Sequence, residues 1–333
     1  MNLNKQYIPG IFNDVIGPIM RGPSSSHTAA SWRAAKTCMD ILNEPLKKAI
    51  IDFDKDGAWA SNYREQGTSL GIEGGLLGLE MTDDRMKNTE LVANELGISI
   101  HYEINSFKTN HVNTFRLFLE GINGKNIQVV AISIGGGSFE IQNINGFEVK
   151  ICGDYYELYL FNSSKETDLE ELKSMFPQSK SIVESFNSDR RLINIKFSKE
   201  ISDETIEKLK HILSFDELII AKPVLPIVAG NESELPFTSV ASLLEFAEKE
   251  NLDLGALGLI YEQCQSGLED SAVIDRMKNL VSIIENSIKT GLAGTTYEDR
   301  ILPQQSHLIN RAKKRNKILQ NSIINQIIAN VSA

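Results

Sequence analysis

Apolar residues recur along this chain with two different spacings, and the points where one gives way to the other mark its elements. Ala29, Ala30, Trp32, Ala34, Ala35, Cys38, Ile41 and Leu42 follow helical spacing, which predicts a helix over 31–43 that Pro45 ends. Residues 49–53 read as a short strand, 57–80 as a Gly-rich loop running into a helix, and 83–96 as a helix. Residues 98–104 alternate as a strand does, and 115–120 and 129–134 read as two more strands. The segments 139–141 and 147–151 form an expected hairpin around Asn145-Gly146. Between 154 and 225 the pattern reads strand 156–161, helix 167–175, strand 180–186, strand 191–197, helix 202–213 and strand 216–221. That order, βαββαβ, is the ferredoxin-like one. Pro223, Pro226, Gly230 and Pro236 mark a linker. Beyond it the pattern is helical throughout, over 238–250, 255–266, 269–290 and about 304–331. Within the third of these helices Leu280, Ile283, Ile284 and Ile288 form an apolar stripe, expected to pack in a core. The expected class is α+β, in three regions: 1–153, 154–225 and an all-helical 226–333.

Composition narrows the function. With 41% hydrophobic and 23% charged residues the chain is an ordinary soluble globular protein. A net charge of −10 argues against a nucleic-acid surface. The one basic cluster, Lys313, Lys314, Arg315 and Lys317, reads as a solvated helix face or a partner contact. Met1 to Lys5 lack the apolar core of a signal peptide and no run is long enough to span a membrane, so a cytoplasmic location is expected. Cys38, Cys152 and Cys264 lie far apart without a CxxC pair, which points to small core residues rather than a disulfide framework or zinc site.

The densest chemistry is in Arg21-Gly22-Pro23-Ser24-Ser25-Ser26-His27-Thr28. A Gly-Pro corner is followed by five consecutive hydroxyl or imidazole side chains where the helix over 31–43 is expected to begin. Unpaired N–H groups and the positive end of the helix dipole favour a carboxylate or phosphate there. His27 adds a group that titrates near neutral pH. A plain helix cap would need only one serine. Glycines 57, 67, 71, 74, 75 and 78 suit either close helix packing or backbone approach to a ligand, and both readings stay open. Lys108 to Thr114 is a polar knot before a strand, and Gly135-Gly136-Gly137 at a strand end implies a sharp turn or a close backbone approach.

These segments carry a resemblance. Asp14-Val15-Ile16-Gly17-Pro18-Ile19-Met20 with Gly22-Pro23-Ser24-Ser25-Ser26-His27-Thr28-Ala29 is similar to the opening signature of the β domain, or β chain, of iron–sulfur L-serine dehydratases. Ser133-Ile134-Gly135-Gly136-Gly137 matches the family's Ser-x-Gly-Gly-Gly loop, and His111-Val112-Asn113-Thr114 its His-Pro-Asn-Thr loop with Val for Pro. Glu65-Gln66-Gly67-Thr68-Ser69 departs from the family's Gly-His-Gly-Thr-Asp, with Gln66 for His and Ser69 for Asp. By the same resemblance 154–225 is a regulatory ACT-like module. It is a degenerate one, because the turn Asn162-Ser163-Ser164-Lys165-Glu166 lacks the usual glycine. The C-terminal helices, ending in Lys289-Thr290-Gly291-Leu292-Ala293-Gly294, resemble the start of the family's α chain, but Leu302-Pro303-Gln304-Gln305-Ser306-His307 stands where a Thr-Gly-Gly-Asp stretch would follow.

The resemblance implies loss of water from L-serine or a related β-hydroxy amino acid, giving a 2-oxo acid and ammonia, with a [4Fe–4S] cluster as Lewis acid. Three cysteines in three regions do not supply the cluster's ligands, so the cluster is expected on a separate α-type catalytic chain. This chain would then supply His27 and His111 for proton transfer. Ser24, Ser25, Ser26, Thr28, Asn113, Thr114, Gly67, Thr68 and the Gly135–Gly137 backbone would hold the small amino-acid substrate. Dimerisation is expected through the ACT-like or helical region, with no nucleic-acid or membrane partner. Two other readings are a non-catalytic regulatory protein binding an anion or amino acid, and an inactive scaffold.

Overall fold

The computed structural model describes residues 9–162, 168–230, 233–294 and 305–315. Residues 163–166 of the expected ACT-like turn, 302–304, and the last helix beyond 315 lie outside these. The chain divides into two compact units. The first runs to Asp253 and includes Cys264–Gly267; the second comprises Leu254–Gln263 and everything from Leu268 onward.

The first unit is organised around helix α1 (Ala30–Leu42). Ten of its residues are buried, including Ser31, Arg33 and Thr37, so it is enclosed rather than one-sided. Asn43 ends it in the left-handed conformation, two residues before Pro45. Strand β1 (Leu46–Asp54), helix α2 (Thr68–Leu76), helix α3 (Thr89–Leu96) and strand β2 (Ser99–Asn105) follow. The expected helix over 83–96 opens instead as a 3₁₀ turn, Asp84–Asn88, whose start is capped by the Asp83 carboxylate accepting from Arg85 N at 2.8 Å. Then come β3 (Thr114–Gly121), β4 (Asn126–Gly135), β5 (Ser138–Ile144) and β6 (Phe147–Ile151). They build a six-stranded sheet in the order β2-β1-β3-β4-β5-β6, parallel only between β1 and β2. A parallel pair needs a crossover, which α2 and α3 supply.

Alternation along the strands decides which side chains meet α1. Ala49, Ile51 and Phe53 of β1 and Phe115, Leu117 and Leu119 of β3 share one core with Ala30, Ala34, Ala35, Cys38, Ile41 and Leu42. On the opposite side of the same pair Asp52, almost wholly buried, pairs with Arg116 and accepts from Asn105 at 3.2 Å.

Strand β7 (Tyr156–Phe161), helix α4 (Leu169–Met175), strands β8 (Ser179–Asn187) and β9 (Arg190–Phe197), helix α5 (Asp203–Ile212) and strand β10 (Glu217–Ala221) follow in the βαββαβ order. Their antiparallel sheet runs β10-β7-β9-β8. Leu158, Leu160, Ile193 and Ile195 on one face pack with Leu172 and Phe176 and with Leu209 and Leu213. Tyr159, Phe161, Leu192, Ile219 and Ala221 on the other face join the core of α1 and the first sheet. Lys222 N donates to Asp40 Oδ2 at 2.9 Å, and Lys125 Nζ reaches both Ile41 O at 2.9 Å and Glu217 Oε1 at 2.5 Å. The second sheet is thus built onto the first domain through α1. Helix α6 (Val240–Glu250) closes the segment, opened by a reciprocal Ser239–Ser242 cap.

The second unit carries most of helix α7 (Leu254–Ser266), the 24-residue helix α8 (Asp270–Ala293) and helix α9 (Ser306–Lys314). Two expectations are corrected here. Ile283 and Ile284 of the apolar stripe remain 37% and 53% exposed, because α8 buries only Val273 and Gly291, near its two ends. Of the cysteines, Cys38 alone is a core residue; Cys152 and Cys264 are half-buried. Among the described residues no helix is long and apolar enough to cross a membrane.

Candidate active site

Residues Ser25–Ala29 form a wide, π-type turn that runs straight into α1, closed by Ala30 N donating to Ser25 O. Such turns interrupt a regular helix and are frequent at functional sites. No hydroxyl of Ser24–Thr28 caps the helix. The hydroxyls bond to one another and to other loops. Ser24 Oγ lies 3.0 Å and Ser26 Oγ 3.3 Å from His27 Nδ1, and the two hydroxyls are 3.2 Å apart. Thr28 Oγ1 donates to Gln66 O at 3.4 Å, and Ser25 contributes its carbonyl to the turn.

The glycines divide between the two roles left open. Cβ atoms at Gly71 and Gly75 would strike the α1 backbone or the residues leading into it, and one at Gly74 would strike Met86, so these three allow close packing of α2. Gly67, at φ +80°, sits against Thr28 Oγ1 and belongs to the turn itself. Its neighbour Thr68 is buried and gives its carbonyl to Ser31 Oγ at 3.0 Å.

Strands β3 and β4 bring in the remaining loops. Asn113 N donates to His111 Nδ1 at 3.1 Å, which leaves the proton of a neutral His111 on Nε2. Thr114 Oγ1 donates to His111 O at 2.5 Å and tightens the same loop. Ser133 joins everything: its N–H donates to Asn113 O at 3.1 Å and its hydroxyl to Ser26 O at 2.8 Å. After it Gly135, Gly136 and Gly137 all take positive φ, at 95°, 63° and 92°, a run that side chains would resist. Gly137 O accepts from Arg33 Nη1 at 2.7 Å. The serine turn, the His111–Thr114 loop, Gly67-Thr68 and the triglycine loop therefore converge.

Three contributors were not legible as site residues. Trp59 stands 5.7 Å from His27, ring centre to ring centre, at 37°, and Ala58 N donates to Val112 O at 2.8 Å. Asn62 lies beside the His27 ring and, with burial, sets its acidity. Arg33 is 1% exposed on a helix that apolar spacing alone describes. Trp59 and Asn62 fall in an unpatterned loop, and only the Gly-rich run after them hinted at the region.

Burial favours the neutral form of the His27 imidazole. Burial holds its pKa below the ordinary 6.5, and the Asn62 side chain partly offsets this. It is therefore mainly neutral at pH 7. Arg33 is lowered to about 10 by burial, opposed by Asp14, and stays charged. Four buried polar atoms around the turn, His27 Nε2, Trp59 Nε1, Asn62 Oδ1 and Thr68 Oγ1, have no hydrogen-bond partner among the described residues. Buried groups of this kind are rare in native proteins and cost about 1–3 kcal/mol each, so their concentration here suits a small polar ligand.

The chain aligns with proteins of known name. It is 32% identical over 215 residues to L-serine dehydratase, beta chain, of Peptoniphilus asaccharolyticus, covering 63% of this chain and 96% of that protein. This chain belongs to the L-serine dehydratase beta-chain family. A second relative is the probable L-serine dehydratase, beta chain, of Bacillus subtilis (strain 168), 34% identical over 152 residues, or 46% of this chain and 68% of that one. No family model matches the chain. The iron–sulfur cluster implied by the resemblance finds no ligand set among the described residues. Among the described residues no cluster of three or more His, Cys, Asp or Glu side chains is placed to hold a metal. Burial pushes the Cys152 thiol up to about 12 and the Cys38 thiol higher still, against the thiolate that ligation requires.

Proposed function

We propose that this β-type chain is one component of a two-chain L-serine dehydratase-like ammonia-lyase, with the [4Fe–4S] cluster on a separate α-type chain. The substrate is L-serine or a related β-hydroxy amino acid; the products are a 2-oxo acid and ammonia. The reading is carried by His27, a mainly neutral imidazole set in a serine-rich turn where four loops meet. The hydroxyls of Ser24, Ser26 and Thr28 and the amides of the triglycine loop orient the carboxylate and amino groups of the substrate. His27 accepts a proton, and His111 offers its Nε2 proton from the neighbouring loop. Residues 1–153 form the β domain in this reading. Residues 154–225 form a degenerate ACT-like module for packing or dimerisation, in keeping with the face of its sheet that is built onto α1.

Anaerobic co-expression with a candidate α-type chain, followed by a dehydration screen over amino acids, tests the proposal. The complex is expected to carry iron and to release 2-oxo acid and ammonia, and this chain purified alone to carry no iron. His27→Ala is expected to cost roughly a hundred- to ten-thousand-fold in turnover with assembly intact, the usual range for an acid–base residue. Near wild-type turnover by an assembled His27→Ala complex would overturn it.

A further inference from the structure

Helix α8 carries an apolar seam that the described residues of its own unit leave largely in water. Ile274, Met277, Val281, Ile284, Ile288 and Gly291 recur at alternating spacings of three and four residues. That is the seven-residue repeat of helices that pair along their length. Val281 is 47% and Ile284 53% exposed, and the seam is covered only at Gly291, whose carbonyl accepts from Ser306 Oγ at 2.7 Å. Aliphatic side chains left exposed in a regular stripe mark a contact face. Two exposed charges line one flank of it. Lys278 directly follows Met277, and Glu285 directly follows Ile284, so both hold the same place in the repeat. On the other flank Leu280 and Ser287 hold the place just before Val281 and Ile288.

We infer that α8 is an interface with a second copy of this chain, the two helices lying antiparallel about a twofold axis. Charge complementarity selects that occupant and that direction. In an antiparallel pair Val281 meets Ile284 of the second copy and Met277 meets its Ile288, and symmetry repeats both layers. Lys278 lies between the Met277 and Val281 layers. Glu285 of the second copy follows Ile284 and precedes Ile288, which are the same two layers seen from the other side. The opposite charges therefore face each other, and the twofold axis makes the pair twice. A parallel pair sets Glu285 against Leu280 and Lys278 against Val273, so both charges would meet apolar side chains. The stripe and its charged flank are thus complementary to themselves in one direction only. The seam ends where Ile274 reaches Gly291 of the second copy, beside Ser306. This inference does not rest on the proposed activity.

Sedimentation equilibrium of the full chain, over micromolar concentrations at low salt, tests it. The wild-type chain is expected to dimerise. Ile284→Glu puts a charge into both central layers and should weaken the dimer at least about a hundredfold. Because Ile284 is exposed in the single chain, its circular dichroism should not change. Lys278→Glu turns two attractive pairs into two repulsive ones and should weaken the dimer about tenfold, as should Glu285→Lys. The double variant Lys278→Glu with Glu285→Lys should restore it. These surface changes decide the matter even if Ile284→Glu fails to fold. A monomeric wild-type chain would overturn the inference, as would a dimer untouched by Ile284→Glu, which places the contact on another face. Charge reversals that the double variant does not rescue would overturn the antiparallel pairing. If the wild-type chain is monomeric and Ile284→Glu instead releases a co-expressed α-type chain, or opens residues 316–333 to trypsin, that chain or that segment is the occupant and the inference fails.

Discussion

Replacing Gly71 by alanine should destabilise this protein, although the same change in an unobstructed helix stabilises it. In a helix interior alanine gains about 0.5–1 kcal/mol over glycine, because glycine loses more backbone freedom on folding. Gly258, inside α7, has nothing within 4 Å of where its Cβ would stand, so Gly258→Ala should show that gain. At Gly71 the added methyl would drive into the carbonyl of Thr28 and the hydroxyl of Ser31. The first is backbone and cannot swing aside, so α2 must retreat from α1. Overpacking of this kind costs about 1–3 kcal/mol. Set against the propensity gain, the net effect is a loss of up to about 2.5 kcal/mol, centred near about 1 kcal/mol. Trp32 and Trp59, the chain's two tryptophans, are both buried in the first unit, so urea unfolding followed by their fluorescence reads the Gly71 variant. Far-UV circular dichroism reads the Gly258 control. A Gly71→Ala midpoint at or above wild type would refute the close approach of the two helices.

Other consequences follow from the site. With His27 as the proposed base, burial lowers its pKa and keeps it deprotonated to lower pH, so the acid limb of kcat/KM in the proposed two-chain enzyme should fall below 6.5; a limb above 6.5 would contradict it. Arg33→Met removes the charged donor to Gly137 O and should speed hydrogen exchange of residues 134–138 by about tenfold, the equivalent of one such bond; unchanged protection would show that the loop holds itself. Gln66 and Ser69 replace a histidine and an aspartate of the family pattern, so the best substrate is expected to be a serine-like amino acid with an altered, enlarged or anionic side chain. Removing one nearby negative charge favours an anion by on the order of 1 kcal/mol. Gln66→His with Ser69→Asp should then move preference toward L-serine, and L-serine as the best substrate of the unaltered pair in a broad panel would disprove this.

Much of the local structure was determined by sequence alone. Period-two alternation placed the strands at 115–120 and 191–197 within a residue of β3 and β9, because a strand's own side chains report which of its faces is buried. Asn145-Gly146 placed a hairpin where both residues take positive φ, as the turn requires. The serine run, the His111 loop and the triglycine loop could be picked out as chemistry because hydroxyls, imidazoles and glycines in such density exceed what caps and turns need. Tertiary structure decided the rest. Periodicity records that a face is covered but not by what, so it could not say that Gly71, Gly74 and Gly75 serve helix packing while Gly67 faces the site. Nor could it show that Ile283 and Ile284 stay exposed on a stripe patterned for burial. Arg33, a charge on an apolar helix, reads as an exposed position until Gly137 O, 104 residues away, is seen to accept from it. Trp59 and Asn62 occupy a loop without period, and what singles them out is the Trp59 ring 5.7 Å from that of His27 and an unpaired buried polar atom on each of the two side chains. Such contacts join residues far apart in the chain, and their energy depends on distance and orientation in space, which no local spacing encodes.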